Sequence, residues 1–69
     1  MGDLAVDYLL RVSEVEKQCG LGRSTIYRRM GDGSFPLALE VGGGQVRWRQ
    51  SDVTRWREGL EQVKVRSLV

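Results

Sequence analysis

The chain contains no histidine and only one cysteine and one proline, and its aromatic residues are two Trp, two Tyr and one Phe. Without an imidazole, a Ser-His-Asp or Cys-His nucleophile and a His-ligated zinc site are excluded. The single thiol, Cys19, excludes an internal disulfide and a CxxC metal site, and it fits a reducing intracellular compartment. We therefore expect no enzyme, no cofactor and no metal.

Long hydrophobic runs are also missing, since no stretch approaches the roughly 20 apolar residues that a membrane span requires. The first residues lack the positive region of a signal peptide. A chain of 69 residues supports one small domain, with little room to enclose a small-molecule substrate. Because 41% of the residues are hydrophobic and 29% are charged, we expect a folded globular domain with no membrane partner.

The net charge of +2 is unevenly distributed along the chain. Residues 21–31 contain three arginines and no acid, and residues 45–57 contain four arginines against one aspartate. The stretches 1–20 and 32–44 each carry a net charge of −2. Two arginine clusters separated by acidic stretches indicate a polarised surface for a polyanion, although scattered solubilising charge would give a similar total.

The first half of the chain predicts two helices joined by a short turn. Ser13 and Glu16 match a capping box, so a helix is expected from about Glu14, with Gly20 as its left-handed end. The short Leu21-Gly22 connection then forces a steep angle into a second helix over residues 23–31.

The second helix has distinct buried and exposed faces. Ile26 and Met30, 40° apart at about 100° per residue, mark its buried face. Ser24 and Arg28 then point outward. Cys19, on the apolar stripe of the first helix, is interpreted as an inert buried thiol.

A β-hairpin is predicted after Phe35-Pro36. Its strands are marked by alternating Leu37, Leu39 and Val41 and by Val46 and Trp48, which alternate with Arg47 and Arg49; Gly42, Gly43 and Gly44 join them. We expect the apolar residues to face inward and both arginines outward. Before the first helix, residues 8–11 predict either a brief strand or an extended arm.

A third helix is predicted to begin at Ser51, with a core stripe of Val53, Trp56, Leu60 and Val63. Residues 1–8 would then form an arm, residues 9–63 the domain, and residues 64–69 either a loose tail or an extension that meets a neighbour. The order helix, turn, helix, hairpin, helix predicts an α+β fold, a small winged helix-turn-helix domain, in which Trp48 and Trp56 share one core with Ile26, Met30 and Phe35.

Three sequence blocks carry a resemblance to a known family: "RSTIYR" at residues 23–28, "FP" at residues 35–36, and Arg47-Trp48-Arg49-Gln50-Ser51-Asp52-Val53 followed by Trp56. Over about residues 9–62 the chain resembles the AlpA family of phage and prophage regulators, within the MerR-like winged-helix group that includes phage excisionases. The resemblance implies a recognition helix at residues 23–28 and a wing at residues 42–47. At Gly22 the chain departs from the family, which usually has Ser at this helix N-cap.

The expected DNA-binding residues lie on these two elements: Arg23, Ser24, Thr25, Tyr27, Arg28, Gly43, Gly44, Gln45, Arg47 and Arg49. Arg28 is expected to read a base, as Arg reads guanine in the major groove. Ser24 and Thr25 suit phosphate or base contacts, and Tyr27 either contacts the DNA backbone or half-buries its ring. The glycines either let the wing approach DNA closely or form only a flexible turn.

The resemblance implies a double-stranded DNA-binding protein in the cytoplasm of a bacterial host, at the nucleoid. It would act as an excisionase that shapes a site for an integrase, as a transcriptional regulator, or as both. We expect a monomer whose copies associate cooperatively on DNA, with Val63, Val65, Leu68 and Val69 as one candidate contact. The alternative is a non-catalytic protein-interaction module whose arginines meet acidic partners.

Overall fold

A computed structural model describes residues 6–63 of the chain. The elements follow in the order β1 (Leu9–Leu10), α1 (Val12–Cys19), α2 (Arg23–Gly31), β2 (Leu39–Gly42), β3 (Gln45–Arg49) and α3 (Gln50–Glu58). The three strands form one antiparallel sheet in the order β1-β3-β2. Three helices with a small antiparallel sheet confirm the predicted α+β fold and are consistent with a winged helix.

Helix α1 begins earlier than predicted. Arg11 is its N-cap, and the Glu14 carboxylate accepts a hydrogen bond of 2.7 Å from the Arg11 backbone N–H. The predicted capping box at Ser13 is therefore wrong by two residues, because Glu14 already serves the residue that follows β1 directly. Ser13 lies exposed in the first turn of α1. Gly20 ends the helix with a φ of 69°, as predicted.

Helix α2 has the predicted bounds, with Gly22 as its N-cap. Ile26 is fully buried and Met30 packs against the core, while Ser24 and Arg28 are exposed. The two-residue connection after Gly20 thus produces the predicted helix-turn-helix.

Strand β1 decides between the two predictions for residues 8–11. Leu9 pairs with Arg49 and Leu10 with Trp48, so the segment contains a brief strand that pairs with β3. Leu10 and Trp48 are both buried. The predicted two-stranded hairpin is present, and β1 extends it to three strands with β3 in the centre.

Strand β2 does not direct its apolar residues inward, contrary to prediction. Leu39 pairs with Arg47, so the two side chains share the outer face, while Trp48 points to the core. Leu37 is 68% exposed, and Val41 is also exposed. Because a shift of one residue exchanges the faces of a strand, the alternation in β2 could not by itself define which face is buried.

The core lies between the sheet and the three helices. Its buried side chains are Leu10, Val15, Ile26, Phe35, Trp48 and Val53. The Trp48 indole N–H donates to the Pro36 carbonyl oxygen at 3.0 Å. Trp56 and Met30 pack against this core, and the Trp56 ring meets Phe35 edge-on, with 4.7 Å between ring centroids. The predicted core, with both tryptophans, is confirmed.

Helix α3 starts and ends differently from the prediction. Its N-cap is Arg49 rather than Ser51, and it ends at Glu58 with Gly59 as the C-cap, which interrupts the predicted stripe. Leu60 and Val63 lie beyond the helix and are 57% and 66% exposed, so neither belongs to the core. The predicted tail contacts Val65, Leu68 and Val69 lie outside the described residues. Among residues 6–63, no helix is long and apolar enough to cross a membrane.

Candidate nucleic-acid interface

The exposed face of α2 is formed by Arg23, Tyr27, Ser24 and Arg28, which cover about 140° of the helix in that order. Thr25, the other predicted contact on this helix, is half-buried. The Tyr27 ring packs edge-on against Trp48, with 6.0 Å between centroids, yet the residue stays 43% exposed. Tyr27 is therefore held by the core while part of it faces solvent, and its contact with the DNA backbone stays a prediction.

The first turn of α2 carries no compensating negative group. Gly22 supplies no side-chain cap, and no acidic residue lies in the first turn. The first backbone N–H groups of a helix have no partner within the helix, and the helix dipole makes this end positive. The start of α2 is thus compatible with an anion beside Arg23.

A cleft of about 430 Å³ joins α2 to the sheet and to the start of α1. We call it the arginine cleft; its lining residues are Arg11, Val12, Ser13, Arg23, Tyr27, Gln45, Val46 and Arg47. Three arginines and no acidic residue line it. Such a cleft favours a polyanion.

The arginine cleft brings together four of the predicted DNA-binding residues, Arg23, Tyr27, Gln45 and Arg47. Its other charged member, Arg11, was not predicted. The sequence alone carries no signal for it, because Arg11 directly follows β1, and the pairing of β1 with β3, which contains Arg47, is a long-range feature. Only the folded structure shows that the two arginines line the same cleft.

Arg47 is half-buried and held in place by its neighbours. Its guanidinium donates to the Val46 carbonyl oxygen at 2.8 Å and to the Gln45 side-chain oxygen at 3.1 Å. A fixed guanidinium loses less conformational entropy when it binds a ligand than a freely moving one. Gln45 therefore acts as a support for Arg47 in the free protein.

Arg49 lies apart from this cleft. Its guanidinium is 3.4 Å from the Asp52 carboxylate, which also binds Arg55 at 3.2 Å. A phosphate that binds Arg49 must compete with Asp52. Because the Arg49 side chain is largely exposed, this competition is weak.

The loop between β2 and β3 consists of Gly43 and Gly44, since Gly42 pairs with Gln45. Their φ angles are 62° and 76°, and positive φ at both positions is what a type I′ hairpin turn requires. A Cβ atom added at either position would meet no other atom within 4 Å. The glycines therefore suit the turn geometry, and they leave the tip of the hairpin as bare, open backbone.

The C-terminal end of α2 is less favourable to an anion. Hydrogen bonds from the Ser34 hydroxyl (2.6 Å) and the Ser34 backbone N–H (2.9 Å) lower the pKa of Asp32, with smaller contributions from Arg29 and Arg28. Asp32 thus remains ionised at neutral pH. The last turn also carries Arg28 and Arg29, so the two ends of α2 differ in the acid Asp32 and in the helix dipole, not in basic charge.

Two further clefts flank Trp56, but each includes an acid, Asp52 in one and Glu58 in the other. Cys19 lines the second, and burial raises the pKa of its thiol, so it stays protonated at neutral pH. Over residues 6–63, no group of three His, Cys, Asp or Glu side chains could hold a metal ion. Neither cleft offers the chemistry of the arginine cleft.

Comparison with known proteins gives two matches. The model of the family described as "Prophage CP4-57 regulatory protein (AlpA)" matches residues 8–60. A protein of Enterobacteria phage P4, named "Uncharacterized protein ORF88", is 46% identical over 57 residues, which cover 83% of this chain. The match covers 65% of the length of that relative. No solved structure matches the chain significantly.

Proposed function

This chain belongs to the AlpA family of prophage regulatory proteins, and on that premise we propose that it is a sequence-selective double-stranded DNA-binding regulator. The observation that carries the proposal is the continuity of one surface: the exposed face of α2 adjoins the acid-free arginine cleft, whose far wall is the hairpin. A polyanion that follows this surface meets no carboxylate in the cleft.

The recognition element of the proposal is α2. Its nine residues give a length of about 13 Å, and the B-DNA major groove, roughly 12 Å wide, admits a helix. Arg28 reads a base edge, and Ser24 lies beside it on the same face. Thr25 and Tyr27 flank them, with Tyr27 fixed by Trp48 for contact with the sugar-phosphate backbone.

The positioning elements are the hairpin and the arginines of β3. Gly43 and Gly44 let the hairpin tip approach the DNA backbone, and Gln45 orients Arg47. On DNA binding, the Arg49 guanidinium leaves the Asp52 carboxylate and contacts a phosphate instead. These contacts add affinity for any sequence, because phosphates carry no base information.

For the output we propose the two roles that the resemblance implies, excision and transcriptional regulation. We propose that residues 9–63 form the DNA-binding domain and that it acts in the bacterial host cell, on nucleoid DNA. Copies of the domain bind adjacent sites, bend the DNA, and either direct an integrase toward excision or control a promoter. Residues 1–8 and 64–69 would be its arm and tail.

A protein-interaction module is the second candidate, and the outer face of the sheet favours it. Leu39 lies there beside Arg47, and Leu37 and Val41, close by in the chain, are exposed. Apolar and basic side chains on one surface suit an acidic protein partner. On this account the arginines of β3 bind carboxylates instead of phosphates.

Selection of duplexes from a random-sequence library by the full chain separates the two candidates. The proposal expects an enriched consensus whose binding persists in excess unrelated duplex and weakens steeply with salt. Equal binding to consensus and scrambled duplexes under the same competition would contradict the proposed selectivity and favour the interaction module.

A further inference from the structure

We propose that the arginine cleft binds a single DNA backbone phosphate, which Arg11 and Arg47 share. This inference rests on the proposed DNA-binding function and adds to it a residue, Arg11, outside both the recognition helix and the wing. Its role is positional: the phosphate fixes the DNA relative to Arg23 and Tyr27, at the cleft edge of α2.

The strand register makes the two arginines neighbours. Leu9 pairs with Arg49 and Leu10 with Trp48, so continuing the antiparallel register places Arg11 opposite Arg47. The backbone at Arg11 is still extended, with φ −77° and ψ 161°, and side chains alternate along extended chain. By this register Arg11 and Arg47 share the face of the sheet opposite Trp48, and both residues also line the cleft.

Two like charges in directly opposed positions destabilise a sheet unless a counter-charge lies between them. No acid lines the arginine cleft, and the nearby Glu14 carboxylate accepts its hydrogen bond from the Arg11 backbone, not from the guanidinium. A phosphate oxygen pair matches the forked donors of guanidinium groups. A bound phosphodiester would thus relieve the repulsion between Arg11 and Arg47.

Arg23 connects this phosphate to base recognition. It lines the cleft from the first residue of α2, and Arg28 lies on the same helix about 140° around the axis. A phosphate held in the cleft fixes the position of α2 in the groove. Loss of Arg11 should then weaken binding to every duplex by the same factor and leave the preferred bases unchanged.

A double-mutant cycle with Arg11→Ala and Arg47→Ala tests the shared site, with binding measured on the consensus and scrambled duplexes over a salt series. Each single variant should bind both duplexes at least about tenfold more weakly, as for a hydrogen bond to a charged group, and its salt slope should fall by at most about 0.9, the value for one phosphate. The double variant should lose clearly less than the product of the single losses, because both arginines hold one phosphate.

Arg57→Ala is the matched control, because Arg57 is exposed on α3 and does not line the arginine cleft. It should bind like the parent. Arg11→Ala keeps the backbone N–H that bonds to Glu14, and thermal melting checks its folding. If it fails to fold, Arg11→Lys replaces it: the lysine should retain the salt slope and lose affinity, because it cannot form the forked contact.

The outcomes separate the inference from the proposed function. A parent that selects no duplex overturns both. A parent that binds selectively, with an Arg11→Ala variant that binds equally well, overturns the cleft alone. Losses that multiply in the double variant assign the arginines to separate phosphates and overturn the shared site.

Discussion

Asp7 caps helix α3 through Ser51, which lies 44 residues later in the chain. Its carboxylate accepts hydrogen bonds from the Ser51 backbone N–H at 2.9 Å and from the Ser51 hydroxyl at 2.8 Å. These two bonds lower the pKa of Asp7, and the charges of Arg49 and Arg55 contribute further. The segment before β1 thus helps to define the start of α3.

Asp7→Ala should lower the melting temperature at neutral pH, because it leaves the Ser51 N–H without its cap. The folded-state pKa of Asp7 lies below its ordinary value of 3.8, so its stabilisation is present above that pH and is lost as the pH falls through the folded-state pKa. Melting curves at pH 7 and in strong acid check this. The difference between parent and variant should shrink in acid, and an unchanged difference would contradict the ionised cap.

Short-range signals predicted the parts of the fold that depend on neighbouring residues. Gly20 and the Leu21-Gly22 connection define the turn between the first two helices, and Ile26 marks the buried face of α2. The ends of α1 and α3 were predicted less well. Ser13 and Ser51 are of a residue type that commonly caps helices. The carboxylates that accept the hydrogen bonds at the two helix starts nevertheless belong to Glu14 and to the distant Asp7.

The part of the site that the sequence did not predict depends on the pairing of strands that lie far apart in the chain. Arg23, Tyr27, Gln45 and Arg47 could be assigned from their elements, and all four line the arginine cleft. Arg11 joins them only through the pairing of β1 with β3. The same pairing information was missing for β2 and the residues before it, where the exposed Leu37 and Val41 follow a pattern that was expected to face the core.

The two tryptophans should differ in their contribution to stability. Trp48 is fully buried and donates to Pro36, so Trp48→Ala should cost about 3 to 5 kcal/mol of unfolding free energy, enough to unfold a small domain. Trp56 is half-buried, so Trp56→Ala should cost less. Leu37→Ala, at an exposed position, is the control. Urea unfolding gives all three values, and a mild loss for Trp48→Ala would refute this core.

Variants of Gly43 can distinguish a wing that contacts DNA from a simple turn. Asn tolerates positive φ and Asp is of similar size, so Gly43→Asn and Gly43→Asp should both keep the hairpin. If the hairpin tip approaches the DNA backbone, Gly43→Asp should bind duplexes more weakly than Gly43→Asn. If the two variants are equally stable and bind duplexes with equal affinity, the loop does not contact DNA and serves only as a turn.

The architectural mode predicts a monomeric free protein that binds its native site in more than one copy. One small module buries only about 600 to 1,000 Å² on DNA, so adjacent copies are needed for strong selectivity. Removal of residues 64–69 should reduce cooperativity more than single-site affinity. Sedimentation counts the copies, and the gel mobility of circularly permuted fragments measures bending. If only one copy binds the site and the DNA stays unbent, the architectural mode is contradicted, and a simple promoter-binding regulator is the better account.

The division of the surface into a reading helix and positioning arginines is the central claim. Arg28→Ala and Arg49→Ala can be compared directly by titration of consensus and scrambled duplexes at several salt concentrations. Arg28→Ala should lose about 1 to 3 kcal/mol on the consensus duplex and relax the preference at one base pair. Arg49→Ala should weaken both duplexes alike and reduce the salt slope by about one. Identical effects of the two variants on affinity, preference and salt slope would contradict this division.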